Sequence, residues 1–333
     1  MEFSNNLLVL ILAIIVDAVA GDPRWLYSRI PHPIVVIGHQ IELLDRFFNR
    51  THYSPVTRKL LGVISILIIV SSAWLIGWLI AWSCNQVSFG VVLQALIVSI
   101  FLAQNSLYQH VASVAKACKA DDLIDARSQI SHIVGRDPNS LDQRAIGRAA
   151  IESLSENFSD GVVAPIFWYV VGGLPALIAY KALNTSDSMI GYLTDKYADF
   201  GWCAARFDDA ANFIPARLSA FIITIAAFII PSATGNRAFT TAIRDAKKHR
   251  SKNAGWPEAA MAGALGIKIA GPRNYDGILV EDAWMGDGIA NVDASHIFMA
   301  LRIYCVACIL NVFWLILFYL SLIHISEPTR PTP

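Results

Sequence analysis

Four stretches of this chain, residues 60–82, 161–180, 218–236 and 303–323, contain no aspartate, glutamate, lysine or arginine. A helix needs about 20 apolar residues to cross the hydrocarbon of a bilayer, and in lipid it satisfies its own backbone hydrogen bonds. Each stretch therefore reads as a membrane helix. Two shorter apolar runs, 3–16 and 89–103, read as tilted pairs, re-entrant segments or spans completed by their flanks. Composition agrees, because 55% of the residues are hydrophobic and 16% charged, against roughly a quarter charged in soluble domains. The expected fold class is an all-α integral membrane protein, a polytopic helical bundle with long helical polar loops. A single membrane domain is expected over 1–323, and the polar, proline-rich residues 324–333 read as a disordered or foreign tail.

The formal net charge is zero, and no basic arm, zinc spacing or aromatic-basic interleaving appears, so nucleic acid is not an expected partner. The N-terminal apolar run lacks a basic leader and meets Asp17 and Gly21-Asp22-Pro23 rather than a small-residue cleavage site, so it is read as retained. The five cysteines are scattered and imply no disulfide framework.

Chemistry belongs to the polar stretches 21–59, 104–160, 183–212 and 237–296. The positive-inside tendency puts Arg46, Arg50, Arg58 and Lys59, and the basic run 237–252, in the cytoplasm. Simple alternation of six spans then puts 183–212 on the opposite side, although its residues are as motif-like as those around it. Pro165, Gly172-Gly173 and Pro175 offer a resolution, since they suit a broken or re-entrant helix within 161–180. No alternating strand pattern of useful length occurs.

Beyond the break at Gly135-Arg136-Asp137-Pro138, Ser140 is a plausible cap for a helix over 141–157. On it Arg148, Glu152, Glu156 and Asp160 recur every four residues and share one face, with Asn157 beside them. Two readings stand open: a solvated stripe with an Arg148–Glu152 ion pair, or a carboxylate cluster for magnesium, a hard cation that prefers oxygen ligands. The segment 181–209 carries Lys181, Asn184, Asp187, Arg206, Asp208 and Asp209, a binding loop or a capped helix start. The two adjacent aspartates point about 100° apart on a helix, so one of them faces a site. Arg206 and Arg217 suit phosphate or the lipid interface. Asn253 to Glu258, Gly263, Gly266 and Gly271 to Gly277 suggest close backbone approach to a ligand or simple turns. His32 between two prolines is an acid-base candidate or a loop contact.

These strings in this order resemble the CobD/CbiB family of cobalamin biosynthesis, the adenosylcobinamide-phosphate synthases. The resemblance runs through Gly21-Asp22-Pro23, His32-Pro33, Gly135-Arg136-Asp137, Glu152-Ser153-Leu154-Ser155-Glu156-Asn157, Asp160 to Pro165, Lys181-Ala182, Asp187-Ser188-Met189, Arg206 with Asp208-Asp209, Pro215-Ala216-Arg217 and Asn253 to Gly277. Pro138 and Ser186 stand where the family usually has threonine and leucine. The resemblance implies an ATP-dependent ligase that joins the propionate carboxylate of adenosylcobyric acid to aminopropanol phosphate or ethanolamine phosphate, with magnesium. Under it, Glu152, Glu156, Asp160, Asp187 and Asp208 are catalytic, with Glu152, Glu156 and Asp187 as the magnesium set. Arg136, Lys181, Arg206 and Arg217 take phosphates, and His32, Asn157, Asn184, Asn253, Glu258 and Asn274 complete substrate binding. Trp202, Phe207, Trp256 and Tyr275 are expected either to flank the corrin or to sit at the membrane interface. The expected location is the inner membrane with the active loops in the cytoplasm, beside other late cobalamin-assembly enzymes. A non-enzymatic AmpE-like membrane sensor is the alternative, and it predicts eroded acidic loops. A transporter would carry its ionisable residues near the membrane midplane.

Overall fold

The computed structural model describes residues 2–22, 27–134, 138–275 and 278–326, with the backbone alone at 2–4, 273–275, 278–280 and 322–326. The protein is an all-α integral membrane protein. In chain order the helices are α1 (Glu2–Ala20), α2 (Pro33–Phe48), α3 (Pro55–Cys84), α4 (Gly90–Ser99), α5 (Gln104–Lys119), α6 (Leu123–Ile130) and α7 (Gln143–Phe158). A π-turn, Ser159–Val163, leads into α8 (Ala164–Ile190), followed by α9 (Trp202–Ala211), α10 (Phe213–Ile229), α11 (Gly235–Asp245) and α12 (Gly255–Leu265). Four short strands, β1 (Ile269–Ala270), β2 (Arg273–Tyr275), β3 (Ile278–Val280) and β4 (Trp284–Met285), precede α13 (Ala294–Ser326). Four helical runs are long and apolar enough to cross a membrane, or five if α9 and α10 count as one broken span.

Local signals explain the boundaries. Ser54 caps α3 through the Thr57 amide at 3.2 Å, with Pro55 at the first helical position. The cap of α7 is Asp142, which accepts from Ala145 N at 2.7 Å, rather than Ser140. Residues 138–140 form a 3-10 turn instead, so the helix starts later than its composition suggested. The expected span 218–236 stops at Ile229, because Ile230 turns extended ahead of Pro231. Two short antiparallel ladders are present, β1 with β4 and β2 with β3. They are two or three residues long, too short for an alternation to register.

The chain packs as two compact units, residues 1–102, 165–211 and 312–333, and residues 103–164 and 212–311. In the first, α3 is the backbone of the packing. Its small residues admit close neighbours, since a side chain at Gly62 would sit 2.0 Å from the Phe200 carbonyl oxygen and one at Gly77 2.7 Å from Pro175 Cα. The expected break in 161–180 falls at Gly172 and Gly173, the latter at φ +65°. Trp168 stacks with Tyr180 at 6.4 Å between ring centroids, whereas a straight helix would separate residues twelve apart by about 18 Å. The chain therefore folds back, and its second limb runs along α3 from the level of Gly77 towards that of Gly62. Residues 195–199 arrive beside the α2–α3 turn. There Lys196 Nζ meets Asp45 Oδ2 at 2.8 Å, and Arg58 bonds the Lys196 carbonyl and approaches Asp199 at 3.9 Å. The loop after α8 thus shares an end of α3 with the basic segment 46–59.

In the second unit, α12 is nearly all buried and lies against α11, α10 and α7. A side chain at Gly263 would meet the Arg237 carbonyl oxygen at 2.3 Å, and Gly266 closes the helix at φ +66°. Of the glycines that hinted at ligand approach, Gly263 thus serves helix packing and Gly266 a helix end. Tyr304 of α13 donates to the Gln104 carbonyl at 2.8 Å and packs edge-on against Phe158, locking α5, α7 and α13 together. The five cysteines form no disulfide. Residues 327–333 of the expected tail lie outside the described residues.

Candidate active site

The first unit collects one polar cluster at the end of α8. Asn184 donates to Asp208 Oδ1 at 3.3 Å. Asp208 is buried while Asp209 and Arg206 are more open, as the helical angle between the neighbouring aspartates requires. One turn along, Gly191 donates its amide to the Asp187 carbonyl at 2.7 Å, and a Cβ there would fall 2.0 Å from Asp187 Oδ1. Only glycine leaves room for that carboxylate. Gly38 of α2 faces Met189, whose Sδ would lie at an ordinary contact distance of 3.5 Å from a Cβ built there.

His32 sits at the start of α2 and caps it, with Nδ1 accepting from Ile34 N at 3.2 Å. Its Nε2 lies 3.9 Å from Asp22 Oδ1. Burial holds its pKa below the ordinary imidazole value; Asp22 and the backbone at Ile100 pull it up, and the Lys181 charge pushes it further down. A neutral ring is what the cap needs, since a protonated Nδ1 accepts nothing. His32 is thus held in place at the start of α2, with Asp22, noticed in the sequence only as part of a string, beside its Nε2. Trp202 lies beneath the Lys59 ammonium, 3.8 Å from the ring centroid. Phe207, with Trp74, Trp168 and Tyr180, lines an apolar cavity of about 330 Å³.

In the second unit, the stripe on α7 divides. Arg148 donates to the Ala290 carbonyl at 3.0 Å and lies 5.6 Å over the Trp284 ring. Glu152, 7% exposed, accepts from Ala270 N at 2.7 Å. Ala270 is held at φ +60°, unusual for a residue other than glycine. This half of the stripe anchors β1, β4 and the segment at Ala290. Glu156 is exposed and Asp160 half-buried in the π-turn, a feature that often marks functional sites. Asn157 Nδ2 donates to the Ser153 carbonyl and hydroxyl at 2.9 and 3.2 Å, and Ser153 donates to the Ile133 carbonyl at 2.8 Å.

A further cluster in this unit joins residues the sequence had only suggested. Arg217 Nη1 donates to Asn253 Oδ1 at 3.2 Å, and the guanidinium stands 3.6 Å from the Phe213 ring centroid and 4.8 Å from that of Trp256. A guanidinium set between rings keeps its plane fixed for an oxyanion. Ser251 fixes this loop by accepting from the Asn253 and Ala254 amides. His249, hidden in a basic run that had been read only for topology, places Nε2 3.8 Å from Oε1 of the buried Glu258. Arg136 lies outside the described residues, as do the side chains of Asn274 and Tyr275.

Among the described residues no group of three or more histidine, cysteine, aspartate or glutamate side chains is arranged to hold a metal ion. Glu152 and Glu156 belong to the second unit and Asp187 to the first. Magnesium typically keeps several waters and binds one or two carboxylates with substrate phosphates, a need that the accessible pair Glu156 and Asp160 fits.

A family model described as CobD/Cbib protein matches residues 10–304. A curated relative from Rhizobium meliloti (strain 1021), named cobalamin biosynthesis protein CobD, is 48% identical over 305 residues, covering 91% of this chain and 93% of its own. Relatives of the same name from Brucella suis biovar 1 (strain 1330) and Rhodobacter capsulatus are 46% and 44% identical, covering 83% and 84% of this chain and 85% and 87% of their own. No solved structure matches. A match over residues 10–304, with relatives up to 48% identical over nine-tenths of both chains, makes the chain a member of the CobD/CbiB family of cobalamin-biosynthesis proteins.

Proposed function

We propose that this protein forms the amide bond between the propionate carboxylate of adenosylcobyric acid and the amine of aminopropanol phosphate or ethanolamine phosphate, with ATP as co-substrate, giving adenosylcobinamide phosphate. The observation that carries the reading is the identity to relatives named for cobalamin biosynthesis over nine-tenths of both chains. A carboxylate does not lose oxygen to an amine at neutral pH, so the oxygen is first phosphorylated and then leaves as phosphate when nitrogen attacks. Phosphoryl transfer asks the protein for positioning and charge stabilisation more than for a nucleophile, and charged and amide groups are what both units offer.

Magnesium, when bound, neutralises phosphate charge, and Glu156 and Asp160 are the residues that would hold it. Arg217, fixed between Phe213 and Trp256, binds an oxyanion edge-on, and Asn253 holds its head in place. In the first unit Lys181 and Arg206 supply positive charge beside Asp187 and Asp208. Glu152 keeps the strand in place rather than touching substrate. The membrane is the inner membrane, with the α2–α3 turn and residues 195–199 in the cytoplasm, where ATP is found.

The test is direct. Purified protein in detergent is supplied with adenosylcobyric acid, aminopropanol phosphate, ATP and magnesium, and the coupled product is sought by mass spectrometry. Product absent beside an active control enzyme removes the proposal. Glu156→Gln is expected to lower turnover roughly 100-fold or more, the scale of losing one charge-stabilising group, with membrane insertion unchanged.

A further inference from the structure

Beside the acidic end of α7, within the second unit, lies an open cavity of about 380 Å³ lined by Ser106 and His110 of α5, His132 and Val134 of the turn after α6, and Asn157 of α7. Its volume is in the range of small-ligand sites. The two imidazole rings stand 6.2 Å apart between centroids. Asn157 engages its amide N–H groups with the carbonyl and hydroxyl of Ser153, which is itself tied to the Ile133 carbonyl, so what its side chain has left to offer is an acceptor, the amide oxygen. The Ala103 amide bonds the Gly161 carbonyl of the π-turn at 3.0 Å and holds that wall still. Among the described residues that line the cavity there is no lysine or arginine. A carbonyl oxygen and two imidazoles, next to the Glu156 carboxylate in sequence, offer acceptors to a hydrogen-bond donor of positive charge.

We propose that this cavity receives the primary ammonium of the amino-alcohol phosphate and that the His110–His132 pair takes its proton. The inference rests on the amide-forming reaction proposed above. An ammonium ion has no lone pair, so a proton leaves nitrogen for a neutral imidazole. The nitrogen pair then forms the C–N bond to the acyl carbon, the bond from that carbon to the phosphate oxygen breaks with its electrons departing on phosphate, and the second nitrogen proton leaves with that phosphate as the neutral amide forms. The nucleoside triphosphate of the preceding activation supplies that phosphate. The proton passes from the imidazole to water. Neither histidine was singled out by the sequence, because they come from separate elements and belong to no recognisable spacing.

The experiment separates activation of the carboxylate from attack by the amine. Hydroxylamine is a weak base, largely unprotonated at neutral pH, and traps an activated acyl group as a hydroxamate without needing its proton removed. His110→Gln and His132→Gln are compared with the wild type, each checked for monodisperse elution and thermal unfolding. Coupling to aminopropanol phosphate is expected to fall roughly 10²- to 10⁴-fold in at least one of them, the usual range for a general base, while hydroxamate formation persists. Added imidazole is expected to recover part of the coupling in the corresponding alanine variant, which also serves if a glutamine variant fails to fold. Equal loss with both nucleophiles, or loss with neither, overturns the assignment. A wild-type protein that yields neither product removes the amide-forming reading itself, and this inference falls with it.

Discussion

Replacing Glu152 tests whether that carboxylate is a structural tie or a ligand. Its Oε1 accepts from Ala270 N at 2.7 Å, with the side chain 7% exposed, and it reaches across 118 residues of sequence. A hydrogen bond to a charged group contributes about 1.5–3 kcal/mol, and a neutral one about half of that. Ala270 sits at φ +60°, a conformation that costs an alanine roughly 1–2 kcal/mol and a glycine little. Glu152→Ala is therefore expected to destabilise the protein by about 1.5–3 kcal/mol and Glu152→Gln by about 1 kcal/mol. Ala270→Gly in the Glu152→Ala background is expected to restore up to about 1 kcal/mol. Equilibrium unfolding in mixed micelles followed by circular dichroism gives the order. If Glu152→Ala unfolds like the wild type but has lost ATP-dependent coupling, the carboxylate is a ligand and the argument from geometry is wrong.

Gly263→Ala places a methyl 2.3 Å from the Arg237 carbonyl oxygen, and overpacking of this kind costs about 1–3 kcal/mol; a thermal scan that shows no decrease would mean α11 can yield. Arg217→Lys loses the planar contact with Phe213 and Trp256, and a cation–π contribution of about 0.5–1 kcal/mol predicts a few-fold rise in KM for the phosphate-bearing substrate with little change in kcat, read from initial rates. Burial pushes the Asp245 carboxyl up, but hydrogen bonds from Arg244, Lys248 and Gly286 N outweigh it and hold it well below the usual carboxylate range. Because the folded pKa lies below the unfolded value of about 3.9, the stabilisation is complete above that value and is lost as pH falls below it. Asp245→Asn should lower stability at pH 7 and flatten the acid limb of the unfolding profile; an unchanged limb would show that other carboxylates control it.

The sequence alone determined what is local. Uncharged runs of membrane length fixed the class, because lipid admits few other solutions. Gly172-Gly173 with Pro175 announced a break, since no other residues so readily abandon helical backbone there. The four-residue spacing put Arg148, Glu152, Glu156 and Asp160 on one face, and the adjacent aspartates 208 and 209 had to diverge. Tertiary structure decided which of those groups reach solvent. Glu152 is engaged by a strand far along the chain, a contact that no period in α7 encodes, while Glu156 stays open. The same holds for residues 195–199 against Asp45 and Arg58, for Arg217 with Asn253 and Trp256, and for His110 with His132. Each pairing joins side chains from separate elements, and its free energy exists only once packing has brought them together. Periodicity reports which face a residue occupies; what lies opposite that face is a property of the folded chain.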